Sequence, residues 1–169
     1  MGWALRQEER RQLFSRGRGA EAGFLRFRRI ASTVMNVDAL TFVALCLVTR
    51  GTLGDVAPLA RVVPGIVLVV AGIGIKLWAA RILGAPAYYW YDFFVPASAR
   101  LPDPPGPYRY LDNPMYTVGY LHAWGFALIC GSAWGLGAAA FDQAAILAFH
   151  HLVERPHVER LFAAGPRAD

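Results

Sequence analysis

Four apolar stretches, each about long enough to cross the hydrocarbon core of a bilayer, constrain this chain more than any other feature. They run over roughly Ala31–Val48, Val62–Leu83, Met115–Gly131 and Ala133–Val153. A core about 30 Å thick takes about 20 residues of helix, and lipid offers nothing to an unpaired backbone group, so such runs fold as helices. The expected fold is therefore all-α: an integral membrane bundle of about four transmembrane helices, with a long cytoplasmic loop before the third. A mean hydropathy of +0.34 with only 17% charged residues excludes a disordered chain and counts against a soluble domain. The third and fourth runs are parted only around Gly131-Ser132, which predicts a tight helical hairpin. Asn36 and Asp38 interrupt the first run, and Asp142, Gln143, His150 and His151 the fourth. Such groups are expected to face a neighbouring helix or a wet cavity.

The charge is concentrated at one end. Residues 1–30 hold eight arginines (6, 10, 11, 16, 18, 26, 28 and 29) against Glu8, Glu9 and Glu21, a balance equal to the net +5 of the whole chain. The membrane runs that follow count against a nucleic-acid-binding arm. Residues 1–30 read instead as a basic interfacial segment ahead of a membrane domain over 31–169, resting on anionic headgroups in the cytoplasm. Phe14, Phe24, Leu25 and Phe27 interleave with the arginines as on an interfacial helix. An even number of spans then puts both termini, the 84–113 connection and the tail after Val153 on the cytoplasmic side. Of the 17 basic residues only Lys76 is lysine; with abundant Ala, Gly and Pro this suggests GC-rich coding, hence a bacterial inner membrane. Cys46 and Cys130 lie inside apolar runs without the spacing of a zinc site, so no metal centre is expected.

Three local patterns carry chemistry. Gly106-Pro107-Tyr108-Arg109-Tyr110-Leu111-Asp112-Asn113-Pro114-Met115-Tyr116 opens the third run, where Asp112 or Asn113 is placed to cap a helix starting at Pro114. After the fourth run comes Glu154-Arg155-Pro156-His157-Val158-Glu159-Arg160. This is either a solvated tail with Glu–Arg pairs or, through Glu154 at the end of the span, an anionic site for a cationic ligand. In the second run, Gly72-Ile73-Gly74 serves either close helix packing or the approach of a cofactor to bare backbone. The loop before the third run adds Tyr88-Tyr89-Trp90-Tyr91-Asp92-Phe93-Phe94 and then Pro96, Pro102, Pro104, Pro105 and Pro107. The aromatic cluster reads as an interfacial belt or as a wall for a cation. The prolines predict extended or turn structure into Tyr108.

In this order, over residues 62–162, the patterns resemble the phospholipid methyltransferase group, within the wider family that includes isoprenylcysteine carboxyl methyltransferases. Asp112-Asn113-Pro114-Met115-Tyr116 agrees with the phosphatidylethanolamine branch, where the isoprenylcysteine branch carries Arg-His-Pro-x-Tyr. Glu154-Arg155-Pro156 matches a Glu-Glu-Pro after the last span, and Gly72-Ile73-Gly74 a Gly-x-Gly. Arg155 replaces the second glutamate, and Val118 stands where a glycine is expected, with Gly119 one place later.

The resemblance implies an S-adenosylmethionine-dependent methyltransferase taking its lipid substrate from the bilayer, with an amine-headed phospholipid as acceptor. Gly72, Gly74, Tyr108, Glu154 and Arg155 become the expected cofactor-binding residues, and Asp112, Asn113, Tyr116 and His122 the expected catalytic set. An amine must shed its proton to attack, so a base is needed; Asp112, His122 and the adjacent His150 and His151 are candidates, although His122 also reads as a packed, hydrogen-bonded histidine. The alternatives are a prenylcysteine or other small apolar acceptor, a membrane reductase, and a non-catalytic protein of the same fold.

Overall fold

The computed structural model describes residues 1–96 and 106–163. Among these residues the regular structure is helical, without a strand. The elements are α1 (Gly2–Arg11), α2 (Ala20–Val48), α3 (Pro58–Tyr88), α4 (Leu121–Cys130), α5 (Ala133–Phe149) and α6 (Arg155–Ala163), with a π turn over His150–Glu154 that makes α5 and α6 nearly continuous. Short 3-10 turns fill Tyr91–Phe93, Gly106–Arg109 and Val118–Tyr120.

Among the described residues, three stretches are long and apolar enough to cross a membrane: Ala20–Val48, Pro58–Gly84 and Ala133–Leu161. Their outward faces are bare hydrocarbon, as with Leu40 (70% exposed) and Phe141 (73% exposed), which is how a helix surface made for lipid looks. The expected third span differs. Its apolar helix covers only Val118–Cys130, about 20 Å at 1.5 Å per residue, and the α-helix proper begins at Leu121, not at Pro114. The reason lies in residues 113–120. Asn113 caps a turn, its Oδ1 accepting from the Tyr116 N–H at 3.2 Å and its carbonyl from the Thr117 N–H at 3.1 Å, and the chain then tightens into the 3-10 turn.

The chain divides into two compact units. The first comprises Met1–Met35, Leu83–Pro104 and Ala148–Asp169, and the second Asn36–Ile82 and Pro105–Leu147. The core of the first is aromatic: Leu5, Phe24, Phe27, Ala31, Trp90, Phe93, Phe94 and Val153 are buried together. Phe27 and Phe94 have ring centroids 5.3 Å apart, and Phe24 meets Tyr91 edge-on at 4.7 Å. The aromatic run after α3 is thus neither a simple belt nor an open wall, since Trp90 and Phe94 pack against phenylalanines of α2 and Phe93 is buried in the same core. Helical periodicity turns Phe24 and Phe27 inward while all eight arginines of residues 1–30 stay exposed. Gly84, at φ +74°, breaks α3 and lets the chain turn into this core, a conformation that a β-carbon would strain. The prolines at 102, 104 and 105 lie outside the described residues.

In the second unit α3 and α4 approach through glycine. A β-carbon on Gly65 would meet Ile129 Cγ1 at 2.7 Å and the Gly125 carbonyl at 2.8 Å, and one on Gly72 would run into the backbone nitrogen of His122. The α4–α5 hairpin turns as expected. Gly131 ends α4 in the left-handed region, Ser132 Oγ accepts from the Gly135 N–H at 2.8 Å, and Thr49 and Ser132 share a hydroxyl hydrogen bond of 2.6 Å. Both cysteines are free thiols.

Candidate functional site

The motif segment lies in the second unit, and its backbone is fixed from three directions. Gly106, at φ +72°, sits against Ile82 and Trp78 of α3 with no room for a β-carbon, and Pro107 and Pro114 are buried. From α5, Gln143 reaches in: its amide donates to the carbonyls of Tyr116 at 3.3 Å and Thr117 at 3.2 Å, while its oxygen accepts from Trp124 Nε1 at 2.8 Å. Gln143 was legible as a polar interruption of an apolar run but not as the clamp of the motif. That role depends on residues 19 to 27 positions away in the chain.

The candidate residues of this unit then fall into place. Asp112 is exposed, whereas Asn113, Tyr116 and Tyr108 are half-buried. Asn113 spends its side chain on the Tyr116 N–H, so its role in the fold is that of a cap. His122 is half-buried, and its Nδ1 is 2.5 Å from the Gly119 carbonyl. A carbonyl only accepts, so Nδ1 carries the proton and Nε2 keeps a lone pair. The packed and the basic readings of His122 are therefore compatible: the contact that packs the ring also sets its tautomer. Of the glycine pair, Gly72 is buried against the start of α4, which accounts for its lack of a side chain, whereas Gly74 has nothing within 4 Å of where a β-carbon would lie.

Glu154 and Arg155 belong to the first unit. Glu154 closes the π turn, and its carboxylate oxygen lies 2.9 Å from His150 Nδ1, with the two side chains only 13% and 23% exposed for His150 and Glu154. The i,i+4 spacing brings them together, while His151, one position on, is exposed. Arg155 points to water and pairs with Glu159 at 2.8 Å, as expected of a solvated Glu–Arg tail.

His157 is the residue that sequence reasoning passed over. It is 3% exposed and lies flat on Phe93; Nδ1 is 3.0 Å from Glu9 of α1, and Nε2 is 3.7 Å from Asp92 without a hydrogen bond. Glu9 also holds Arg160 at 2.8 Å. Burial pushes the Glu9 carboxyl upward, but hydrogen bonds and charge from His157 and Arg160 outweigh it, so the group ends below its ordinary value. Glu9 and His157, with Glu8, Ser15, Phe93 and Phe94, border a cleft of about 490 Å³. The available signal was the spacing of Val153 and His157, one turn apart on an apolar face. Among the described residues no cluster of three or more His, Cys, Asp or Glu is arranged to hold a metal.

Residues 60–165 match the family described as phospholipid methyltransferase. Phosphatidylethanolamine N-methyltransferase of Saccharomyces cerevisiae (strain RM11-1a) is 34% identical over 105 residues, which is 62% of this chain and 12% of that protein. The protein of the same name from Pyricularia oryzae is 32% identical over 146 residues, covering 85% of this chain and 15% of its own length. The one from Aspergillus clavatus is 31% identical with the same coverage. The chain therefore spans less than a sixth of the length of these relatives. No solved structure matches it.

Proposed function

Because the chain belongs to the phospholipid methyltransferase family, we propose that it transfers a methyl group from S-adenosylmethionine to the amine of a phospholipid headgroup, phosphatidylethanolamine or its partly methylated forms. The observation that carries this reading is the match over residues 60–165, which takes in both the Asp112–Tyr116 motif and Glu154. The motif also lacks the arginine that begins the isoprenylcysteine pattern.

The donor's chemistry suits the residues present. Bound S-adenosylmethionine supplies a methyl group made electrophilic by a sulfonium cation. Glu154 is a half-buried carboxylate oriented by His150, an anionic contact for the cofactor's ammonium or ribose; Arg155 lowers the negative charge beside it. Within the second unit, Tyr108 offers an aromatic face and Gly74 open backbone, the contacts that the family resemblance implies there. On the acceptor, a lipid ammonium has no lone pair until a proton leaves. His122 Nε2 takes that proton, and the amine nitrogen is then free to bond the methyl carbon as the carbon–sulfur bond breaks. Asp112, exposed beside the motif, attracts the cationic headgroup. Asn113 and Tyr116 hold the shape of the segment, so catalysis rests mostly on positioning.

The assay offers purified protein phosphatidylethanolamine and a prenylcysteine, with methyl-labelled S-adenosylmethionine, and follows the product mass. N-methylated lipid is expected. A methyl ester on the prenylcysteine alone refutes the amine acceptor, and label in neither refutes the activity. The proposed setting is a bacterial inner membrane with both termini cytoplasmic: the eight exposed arginines before Ala31 support the N-terminal half of this reading, and the C-terminal half requires that the short helix α4 count as a span. Cysteines introduced at Arg16 and Asp55 should then label from opposite sides of sealed vesicles; labelling from one side refutes the orientation.

A further inference from the structure

Lys76 is the only lysine of the chain, and it stands inside the apolar span of α3, eight residues or about 12 Å of helix rise from the break at Gly84. A charge at that depth is costly and persists where it faces a partner. Its stem runs across Gly119, whose absent β-carbon would lie 3.6 and 3.9 Å from Lys76 Cβ and Cγ, and its ammonium stands 5.8 Å from the centre of the Tyr120 ring. A ring face offsets part of the desolvation but neutralises no charge. Among the described residues no carboxylate pairs with Lys76. An α-carbon-to-β-carbon bond also leans toward the helix N-terminus, here away from Gly84, so the geometry does not favour simple escape to the nearer water layer.

The helix register says from where an anion would arrive. Gly65, Gly72 and Ala79 recur every seven residues and are buried, forming the seam of α3. Ile73 and Leu77, 43% and 53% exposed, face outward. Lys76 lies between the two, on the edge of the seam that opens to lipid, and Gly72, one turn earlier on the same face, abuts the His122 backbone. A water-soluble ligand enters from the aqueous side, whereas a lipid enters sideways along this edge and brings a phosphate diester with it.

We propose that Lys76 is a substrate-binding residue that grips the phosphate of the lipid acceptor. An ethylene bridge separates phosphate from amine in such a headgroup, so holding the first positions the second for its proton to leave. The inference rests on the amine-phospholipid reading above and adds the part of the headgroup that the motif does not address.

The test compares wild type with K76M, K76Q and K76R in phosphate-free detergent micelles. The acceptors are phosphatidylethanolamine and a diacylglycerol aminoethyl ether, which has the same amine and tails without the phosphate. K76M and K76Q should raise the KM for phosphatidylethanolamine by roughly ten- to a hundredfold, the usual weight of one charge-assisted hydrogen bond. They should leave the KM for the ether and the Kd for S-adenosylmethionine unchanged, and K76R should restore most of the loss. Equal KM increases for both acceptors, or no increase, overturn the proposal. So does a rise in cofactor Kd, which would assign Lys76 to the cofactor's carboxylate. Retention of phosphatidylethanolamine by native mass spectrometry gives the same comparison without turnover. If no variant and no wild-type protein methylates an amine lipid, the functional reading fails, yet loss of lipid retention in K76M alone still supports the phosphate site.

Discussion

The imidazole of His157 lies on the ring of Phe93 with centroids 3.7 Å apart and planes at 14°, while its Nδ1 meets the Glu9 carboxylate at 3.0 Å. One buried side chain thus ties α6 to the aromatic turn by stacking and to α1 by a hydrogen bond. The Glu9 end of this link is sensitive to pH. Because its folded pKa is depressed below the ordinary 4.5, its contribution is complete above that value and is lost as pH falls through the folded pKa. Thermal unfolding in detergent should show E9Q less stable than wild type by about 1 kcal/mol near pH 7, with the gap closing below about pH 4.5. H157A should cost about 2–3 kcal/mol, since it also opens a cavity. A pH-independent gap for E9Q would remove the ionic link.

The two glycines of α3 should separate cleanly. At Gly72 a methyl group runs into the His122 backbone, whereas at Gly74 it meets nothing within 4 Å. G72A is expected to lower stability by about 1–3 kcal/mol by forcing α3 from α4. G74A should leave the melting temperature within about a degree and, on the proposed role of Gly74, weaken S-adenosylmethionine binding. Equal melting temperatures for both variants would mean that the helices do not pack through Gly72.

Glu154 carries the proposed anionic contact with the cofactor. E154Q keeps its size and most of its hydrogen bonding but not its charge, so the Kd for S-adenosylmethionine should rise by roughly one to two decades. Helicity by circular dichroism should not change. An unchanged Kd, read by calorimetry, would exclude Glu154 from the cofactor site.

His122 is proposed as the base, with Nδ1 committed to Gly119. H122N should reduce kcat by roughly two to four decades at neutral pH. Activity should recover in part as the pH rises and the acceptor amine loses its proton unaided. A deficit that stays constant to high pH would leave His122 a purely packing residue.

What the sequence made legible follows from the range of the interactions concerned. Span length, hydropathy and the Gly131-Ser132 break are local, and the three long helices and the hairpin answer to them. Asn113 as a cap is likewise a matter of three residues. The delayed start of α4 is not local: Pro114 is a good first residue for a helix, but the Tyr116 and Thr117 carbonyls are held by Gln143 from another helix, and this holds the segment in turns. The inward packing of Trp90 and Phe94 needed a partner surface on α2 that no pattern within the aromatic run announces. Glu154 was visible at the end of its span, while His150 as its partner follows from the i,i+4 geometry that keeps His151 apart. His157 sits among Arg155, Glu159 and Arg160, whose charges make the whole stretch look solvated until its apolar face is placed.

The Gln143 amide has one further consequence. With its oxygen committed to Trp124, its nitrogen must address the Tyr116 and Thr117 carbonyls, so the group acts as a ruler that measures the distance between the motif turn and the first turn of α4. Inserting or deleting one residue between Thr117 and Trp124 would rotate the indole by about 100° and strand its N–H and the Gln143 oxygen in hydrocarbon. The same change in the exposed stretch over residues 54–57 would disturb none of them. Length variation in this chain should therefore be tolerated at that connection and forbidden between Thr117 and Trp124.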